Sequence, residues 1–194
     1  MDYIPIERYV ASQVRYQRYL HSRATALQAK QLAAHYLHTD SLDHLIFLAG
    51  IWHDSSREWP ASDLLAYAEK HHLEMLTFEA KRPMLLHGLV AAHQLRLLKP
   101  DVAPQVLLAI RWHTLGSPDM GMLGALIYIA DYLEPLRKHL DDTQRRDLLR
   151  TSSVEQLCLA VVEQHRQHLA ETGRISAPST DLLASYLSHG GSFT

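Results

Sequence analysis

The chain has 194 residues, 47% of them apolar, with 19 basic against 21 acidic residues and a net charge of −2. That length and apolar content suit one large domain with a substantial core, and the near-neutral balance gives no global attraction for nucleic acid or an anionic membrane. A single cysteine, Cys158, rules out an internal disulfide and a thiolate metal cluster, and its apolar helical context makes it a buried residue rather than a nucleophile.

No stretch approaches the roughly 18 consecutive apolar residues of a membrane span, and Met1-Asp2-Tyr3-Ile4-Pro5 lacks the basic-then-apolar form of a signal peptide. A cytoplasmic protein is expected. From the start, Ile6, Tyr9, Val10 and Val14 carry a helical period over Ile6 to Tyr19, and Leu20, Ala24, Leu27, Leu32 and Leu37 continue it to about Leu37. Ser41 is the expected N-cap of a third, almost wholly apolar helix through Leu45, Ile46, Leu48, Ala49 and Trp52 that should be central. Ser55 to Pro60 interrupts the pattern, Ser62 and Asp63 open a shorter helix, and Pro83 marks a boundary before an apolar helix from Met84 to His93. Another helix runs from about Ala103 to Trp112 and stops at a Gly-Pro turn. Met122 to Pro135 has the β-branched content of a buried strand, but its length and helical neighbours favour a buried helix. Asp141 to Arg150 and Ser153 to Thr172 form a more polar helical tail with Gly173 as C-cap, and Leu182 to Leu187 suggest a last short helix.

The stretch that organises the chain is Gly50-Ile51-Trp52-His53-Asp54, where an imidazole and a carboxylate stand side by side at the end of an apolar run. Neighbours on a helix point about 100° apart, so such a pair serves one site only when a third partner, such as a metal ion, draws both inward. Histidines and acids within or at the ends of apolar helices reduce to His21, His53, Asp54, His87, His113 and Asp131. One such histidine alone is ordinarily a core residue bonded to a backbone carbonyl. A core-facing Asp131 late in an apolar helix, however, needs a cation or an arginine. The nitrogen and oxygen set without sulfur suits Fe, Mn, Co, Ni or Zn, and six donors suit two ions bridged by Asp54. His35, His38, His44, His71, His72, His139, His165, His168 and His189 lie in polar stretches and are read as ordinary histidines, as is His93 with a place in the outer shell open to it.

In order, His21, the pair His53-Asp54 and Asp131 resemble the His…His-Asp…Asp signature of the HD superfamily of helical metal-dependent phosphohydrolases. The blocks Leu86-His87-Gly88, Ala109 to Gly116 and Ile127 to Arg137 are similar to the YqeK-type family, symmetrical bis(5′-nucleosyl)-tetraphosphatases that cut diadenosine tetraphosphate into two ADP. The resemblance covers about Arg18 to Lys138 and implies an all-α HD-domain bundle spanning 1–194, with a core over about 18–138 and a helical extension over about 141–194. It further implies one ion held by His21, His53, Asp54 and Asp131, a second held by Asp54, His87 and His113, iron as the usual metal, and a homodimer. Arg57 departs from the pattern, which commonly has lysine there, so a guanidinium fork replaces a point charge.

Two cations on one carboxylate lower the pKa of a bound water enough to supply hydroxide near pH 7. Asp54, His87 and His113 are accordingly read as catalytic as well as metal-binding. Arg57, Arg111 and Arg137 are the candidates to hold phosphates, with Lys81 and Arg82 extending the basic rim, because arginine grips two oxygens at once. Trp59, in the loop behind the pair, is the candidate platform for a nucleobase, whereas Trp52, Trp112 and Tyr132 are expected in the core. The same site would serve a nucleotidase, a phosphatase of nicotinamide nucleotide metabolism or a cyclic-dinucleotide phosphodiesterase, since metal ligands set the chemistry and loops set the substrate. A signalling module with a degenerate site would have lost a ligand, and none of the six is missing.

Overall fold

The computed structural model describes residues 4–138 and 140–193, and the expectation for His139 lies outside the described residues. Among them the fold is all-α: eleven α-helices, two short 3-10 turns and no strand. No described helix is long and apolar enough to cross a membrane.

The first periodic stretch divides where the sequence gives no break. Helix α1 is Ile4–Gln13 and α2 is Tyr16–Tyr36. Between them Arg15 is extended, its backbone N–H and its Nε both donating to the carboxylate of Glu58, at 2.8 and 2.6 Å. An acid 43 residues away therefore ends one helix and starts the next. Of the apolar stripe only Leu32 lies in the buried face of α2, which is His21, Ser22, Thr25, Ala26, Ala29, Leu32 and Ala33, while Leu27 is exposed. Small side chains on this face let α3 (Asp43–Trp52) lie close, and a Cβ placed on Gly50 of α3 would stand 2.6 Å from Ala26 Cα. Ser41 does not cap α3; Leu42 occupies that position, and Ser41 bonds instead to Thr39.

Next come α4 (Ala61–Lys70), the single turn α5 (Thr77–Ala80), a 3-10 turn (Pro83–Leu86) and α6 (His87–Leu98). The proline-led turn delays α6, so that His87 opens it. Helix α7 (Pro104–Trp112) and a second 3-10 turn (Pro118–Met120) lead into α8 (Gly121–Leu133), which is a helix and not a strand. Nine of its thirteen residues are buried, and it packs on α2, α3, α7 and α10 (Val154–Glu171). The polar tail begins with α9 (Asp142–Leu148), capped by Asp141 whose carboxylate accepts from Thr143 and Gln144 N–H. Helix α10 starts at Ser153, which accepts from Gln156 N–H, and α11 (Pro178–Ser188) packs against it. One apolar cluster runs from Val10 through α8 to Phe193 and includes Cys158, so the tail shares the core that carries the organising pair.

Candidate metal centre

His53 caps the C-terminus of α3, and Asp54 lies in the turn that follows, closed by Ser55 N–H to Trp52 O and Arg57 N–H to Asp54 O. His21 comes from the middle of α2, His87 from the first position of α6, His113 from the cap of α7 and Asp131 from the last turn of α8. All six side chains converge. Asp54 Oδ2 stands 3.5 Å from Nε2 of both His21 and His53, and its Oδ1 stands 3.4 Å from Nε2 of both His87 and His113. Asp131 Oδ1 closes the first group at 3.0 Å from His21 Nε2. The donor atoms of His21, His53 and Asp131 lie within 4.8 Å of one another, as do those of His53, Asp54 and His113, so His53 stands between the two halves.

The hydrogen-bond pattern tests whether this cluster suits cations. Nδ1 of His53, His87 and His113 each lies 2.7 Å from a backbone carbonyl, of Gly50, Met84 and Ile110 respectively. A carbonyl only accepts, so each Nδ1 carries a proton, and in its neutral form each ring presents a bare Nε2 lone pair to the centre. The Nε2 atoms of His87 and His113 face one another at 3.1 Å, and those of His53 and His21 at 3.3 Å. Two nitrogens bound about 2.1 Å from one ion stand about 3.0 Å apart at a right angle and about 3.4 Å apart in a tetrahedron. The donor set therefore has both the protonation and the spacing of transition-metal ligands, and these buried His/Asp clusters are a candidate metal site.

Charge points the same way. Burial would lower the pKa of His21, but hydrogen bonds to Asp131, Asp54 and Glu134 outweigh it and push it up to about 10. The surrounding carboxylates thus demand a positive charge at this position. Asp54 is held well below the usual carboxylate range despite its burial, chiefly by the imidazoles of His53, His113 and His21. Burial holds His87 below the ordinary imidazole range and so neutral.

Sequence reasoning missed several partners of the six. Glu134, buried, accepts from His21 Nδ1 at 3.1 Å and fixes that ring as the carbonyls fix the other three. Arg18, one turn before His21 on α2, donates to Asp54 Oδ2 at 2.7 Å. Thr114 Oγ1 lies 3.0 and 2.9 Å from the Nε2 atoms of His87 and His113. The only signals were position: an arginine three residues before a ligand shares its helix face, and Glu134 lies one turn beyond Asp131.

A cavity of 560 Å³ opens on the cluster, bounded by His113, Thr114, Asp131, Arg57 and Arg137, with Tyr128, Tyr132 and residues of α10 opposite. Arg137 donates through its guanidinium to the Asp131 carboxylate and, from Nε, to the Asp131 carbonyl at 2.9 Å. Tyr132, expected in the core, lines this cavity and donates to Gln164 Oε1. Of the expected basic rim, Arg57 and Arg137 line this cavity. Arg111 is committed elsewhere, in a two-pronged pair with buried Glu79 at 2.6 Å for each prong, and its guanidinium stacks on Trp112. Lys81 and Arg82 are exposed beyond α5, Arg82 lying over the Phe78 ring, and neither borders the cavity. Trp59 lines a separate, open hollow with Arg15, Arg18 and Arg57, its ring edge-on to Tyr67. Trp52 is core, as expected, with its Nε1 bonded to Ala91 O.

No family model matches the chain. It is 28% identical over 183 residues to the symmetrical bis(5′-nucleosyl)-tetraphosphatase of Bacillus subtilis, a match spanning 93% of this chain and 95% of the relative. To the enzyme of the same name from Staphylococcus aureus it is 32% identical over 123 residues, or 62% of this chain and 60% of the relative. Among solved structures, a protein of Clostridium acetobutylicum described as a predicted HD superfamily hydrolase involved in NAD metabolism superposes with a TM-score of 0.86 at 25% identity, covering 97% of this chain and 98% of that one. With the His…His-Asp…Asp order, the all-helical architecture and these likenesses in agreement, the chain is an HD superfamily hydrolase related to the symmetrical bis(5′-nucleosyl)-tetraphosphatases.

Proposed function

We propose that the protein hydrolyses diadenosine tetraphosphate symmetrically to two ADP, at a centre of two transition-metal ions, iron in the first instance, held by His21, His53, Asp54, His87, His113 and Asp131. The observation that carries this reading is the Asp54 carboxylate, which turns one oxygen to the His21-His53 pair and the other to the His87-His113 pair. Cations held by these six side chains would acidify a water toward neutral pH and would offset the negative charge of a phosphate. The chain's own groups do the rest. Carbonyls of Gly50, Met84 and Ile110, with Glu134, hold four imidazoles in one tautomer so that no reorganisation accompanies the reaction. Arg137, fixed through Asp131, keeps further N–H donors directed at the cavity, and Arg57 makes no ion pair among the described residues, leaving its fork for phosphate oxygens. No general acid is required, because a departing nucleoside diphosphate is a modest base that an arginine can stabilise.

The test is product analysis. Protein incubated with diadenosine tetraphosphate should release ADP alone; AMP with ATP would refute symmetrical cleavage, and Asp54→Ala should lose both turnover and bound metal. A second reading, a phosphatase acting on a nucleotide of NAD metabolism, draws support from the description of the Clostridium protein. Phosphate release from nicotinamide mononucleotide, with diadenosine tetraphosphate left intact, would favour it.

A further inference from the structure

The wall of the cavity opposite the metal cluster belongs to α10 and the turn after it, a part of the chain that carries no recognised motif. It presents His165, His168 and Arg174 to the same space as Arg57 and Arg137, and the one carboxylate on the lining, Asp131, is already engaged by His21 and Arg137. Three arginines against one neutralised acid, with the ring N–H groups of His165 and His168 beside them, make this a cavity for a polyanion in a protein whose overall charge is −2.

Arg174 is placed rather than loose. Gly173 takes a φ of +67°, and Arg174 N–H closes the helix end onto Leu169 O at 2.8 Å, which fixes the base of the arginine side chain. The nearby acids that might have paired with it, Glu163 and Asp181, are both held by Arg166, at 2.9 and 3.0 Å, and the Arg174 guanidinium makes no ion pair among the described residues. His165, half-buried, turns its ring toward Tyr128 Oη and the cavity. The basic side chains therefore continue from the cluster out along α10.

We propose that His165 and Arg174 bind the phosphate chain that extends beyond the phosphate at the metal cluster, making α10 the element that selects polyphosphate-linked substrates over simple monophosphates. The inference rests on the reading of the protein as a nucleotide phosphoanhydride hydrolase and names the residues that receive the departing half. Among the described residues neither side chain hydrogen-bonds or ion-pairs with the six of the cluster, so both can be changed with the ligand set left in place.

The test uses the metal-loaded protein and two inorganic probes. Tripolyphosphate spans cluster and wall, whereas orthophosphate reaches the cluster alone. By calorimetric titration, Arg174→Gln and His165→Asn should each weaken tripolyphosphate binding about three- to tenfold, the worth of one charged contact or one hydrogen bond, and leave orthophosphate binding unchanged. Arg166→Gln, which removes an equal charge from α10 but from a side chain tied to Glu163 and Asp181, should leave both unchanged. In turnover of diadenosine tetraphosphate the two cavity variants should raise KM and spare kcat. Unaltered tripolyphosphate affinity in both, equal weakening of orthophosphate, or no binding of tripolyphosphate by the parent protein would overturn the assignment. Failure of the parent protein to cleave diadenosine tetraphosphate would instead overturn the substrate reading, leaving the α10 wall to be judged on tripolyphosphate alone.

Discussion

Gly50→Ala is the smallest change that should damage the centre without touching a proposed ligand. The added Cβ would lie 2.6 Å from Ala26 Cα, 2.7 Å from Ala26 Cβ and 2.9 Å from Ala26 N. Carbon atoms in contact prefer about 3.5–4.0 Å, and the obstacle is backbone, so α2 and α3 must separate by about 1 Å. Overpacking of this kind costs about 1–3 kcal/mol, while replacing a helical glycine returns up to about 1 kcal/mol in propensity; a net loss near 1 kcal/mol follows. For a chain of this size that lowers Tm by about 2–4 °C. The same movement acts on the site, because His21 rides on α2 while His53 and Asp54 follow α3. A 1 Å opening takes the 3.5 Å separation of His21 Nε2 from Asp54 Oδ2 beyond the roughly 4.2 Å that two donors on one ion can span. Calorimetry with elemental analysis of the purified variant measures both effects. A variant as stable as its parent, with full metal content, would refute the claim that this glycine sets the distance between the two halves of the His21-His53 group.

Other consequences are separable. Glu134→Ala removes the partner of His21 Nδ1 and should weaken metal binding about 10–100-fold, read as faster loss of metal to a chelator, with the fold intact by circular dichroism. Glu79→Ala strands the largely buried Arg111 guanidinium and should destabilise by about 3 kcal/mol in urea titration, yet leave turnover per folded molecule unchanged; a selective loss of turnover would return Arg111 to the substrate site. Cys158 is fully buried and its thiol is pushed up by that burial, so a thiol reagent should label it only at the rate of global unfolding; rapid labelling of the native protein would contradict its place in the core.

What the sequence made legible divides along the range of the forces involved. The long helices follow from local periodicity, and α8 resolves as a helix because its neighbours need a helical partner. The six cluster residues were recoverable because ionisable groups in apolar context are expensive and must be compensated. The break at Arg15 was not, because its cause is Glu58, which arrives only with the tertiary fold. The pairing of Arg111 was not legible for the same reason, since Glu79 reaches it from another element. His165 and Arg174 lay hidden in a polar stretch, where nothing local marks which side of the helix faces solvent and which faces the cavity.

The adjacency of His53 and Asp54 posed a geometric problem that the helix ends resolve. Within a helix the two side chains would diverge by about 100°, but α3 stops at Trp52, so Asp54 leaves the helical direction and swings back over the centre. The last turn of any helix also leaves carbonyls without an N–H partner. His53 and His113, each capping its helix, use those carbonyls three residues back, Gly50 O and Ile110 O, as acceptors for Nδ1–H. One bond thus satisfies an orphaned backbone group, fixes the tautomer and aims Nε2 at the interior. His87 obtains the same i−3 bond to Met84 O from the 3-10 turn that precedes α6, which explains why a proline-led turn stands where the sequence suggested uninterrupted helix. His21 is the exception that supports the rule: mid-helix, with its backbone carbonyls already committed to the helix, it needs a carboxylate from elsewhere, and buried Glu134 provides it.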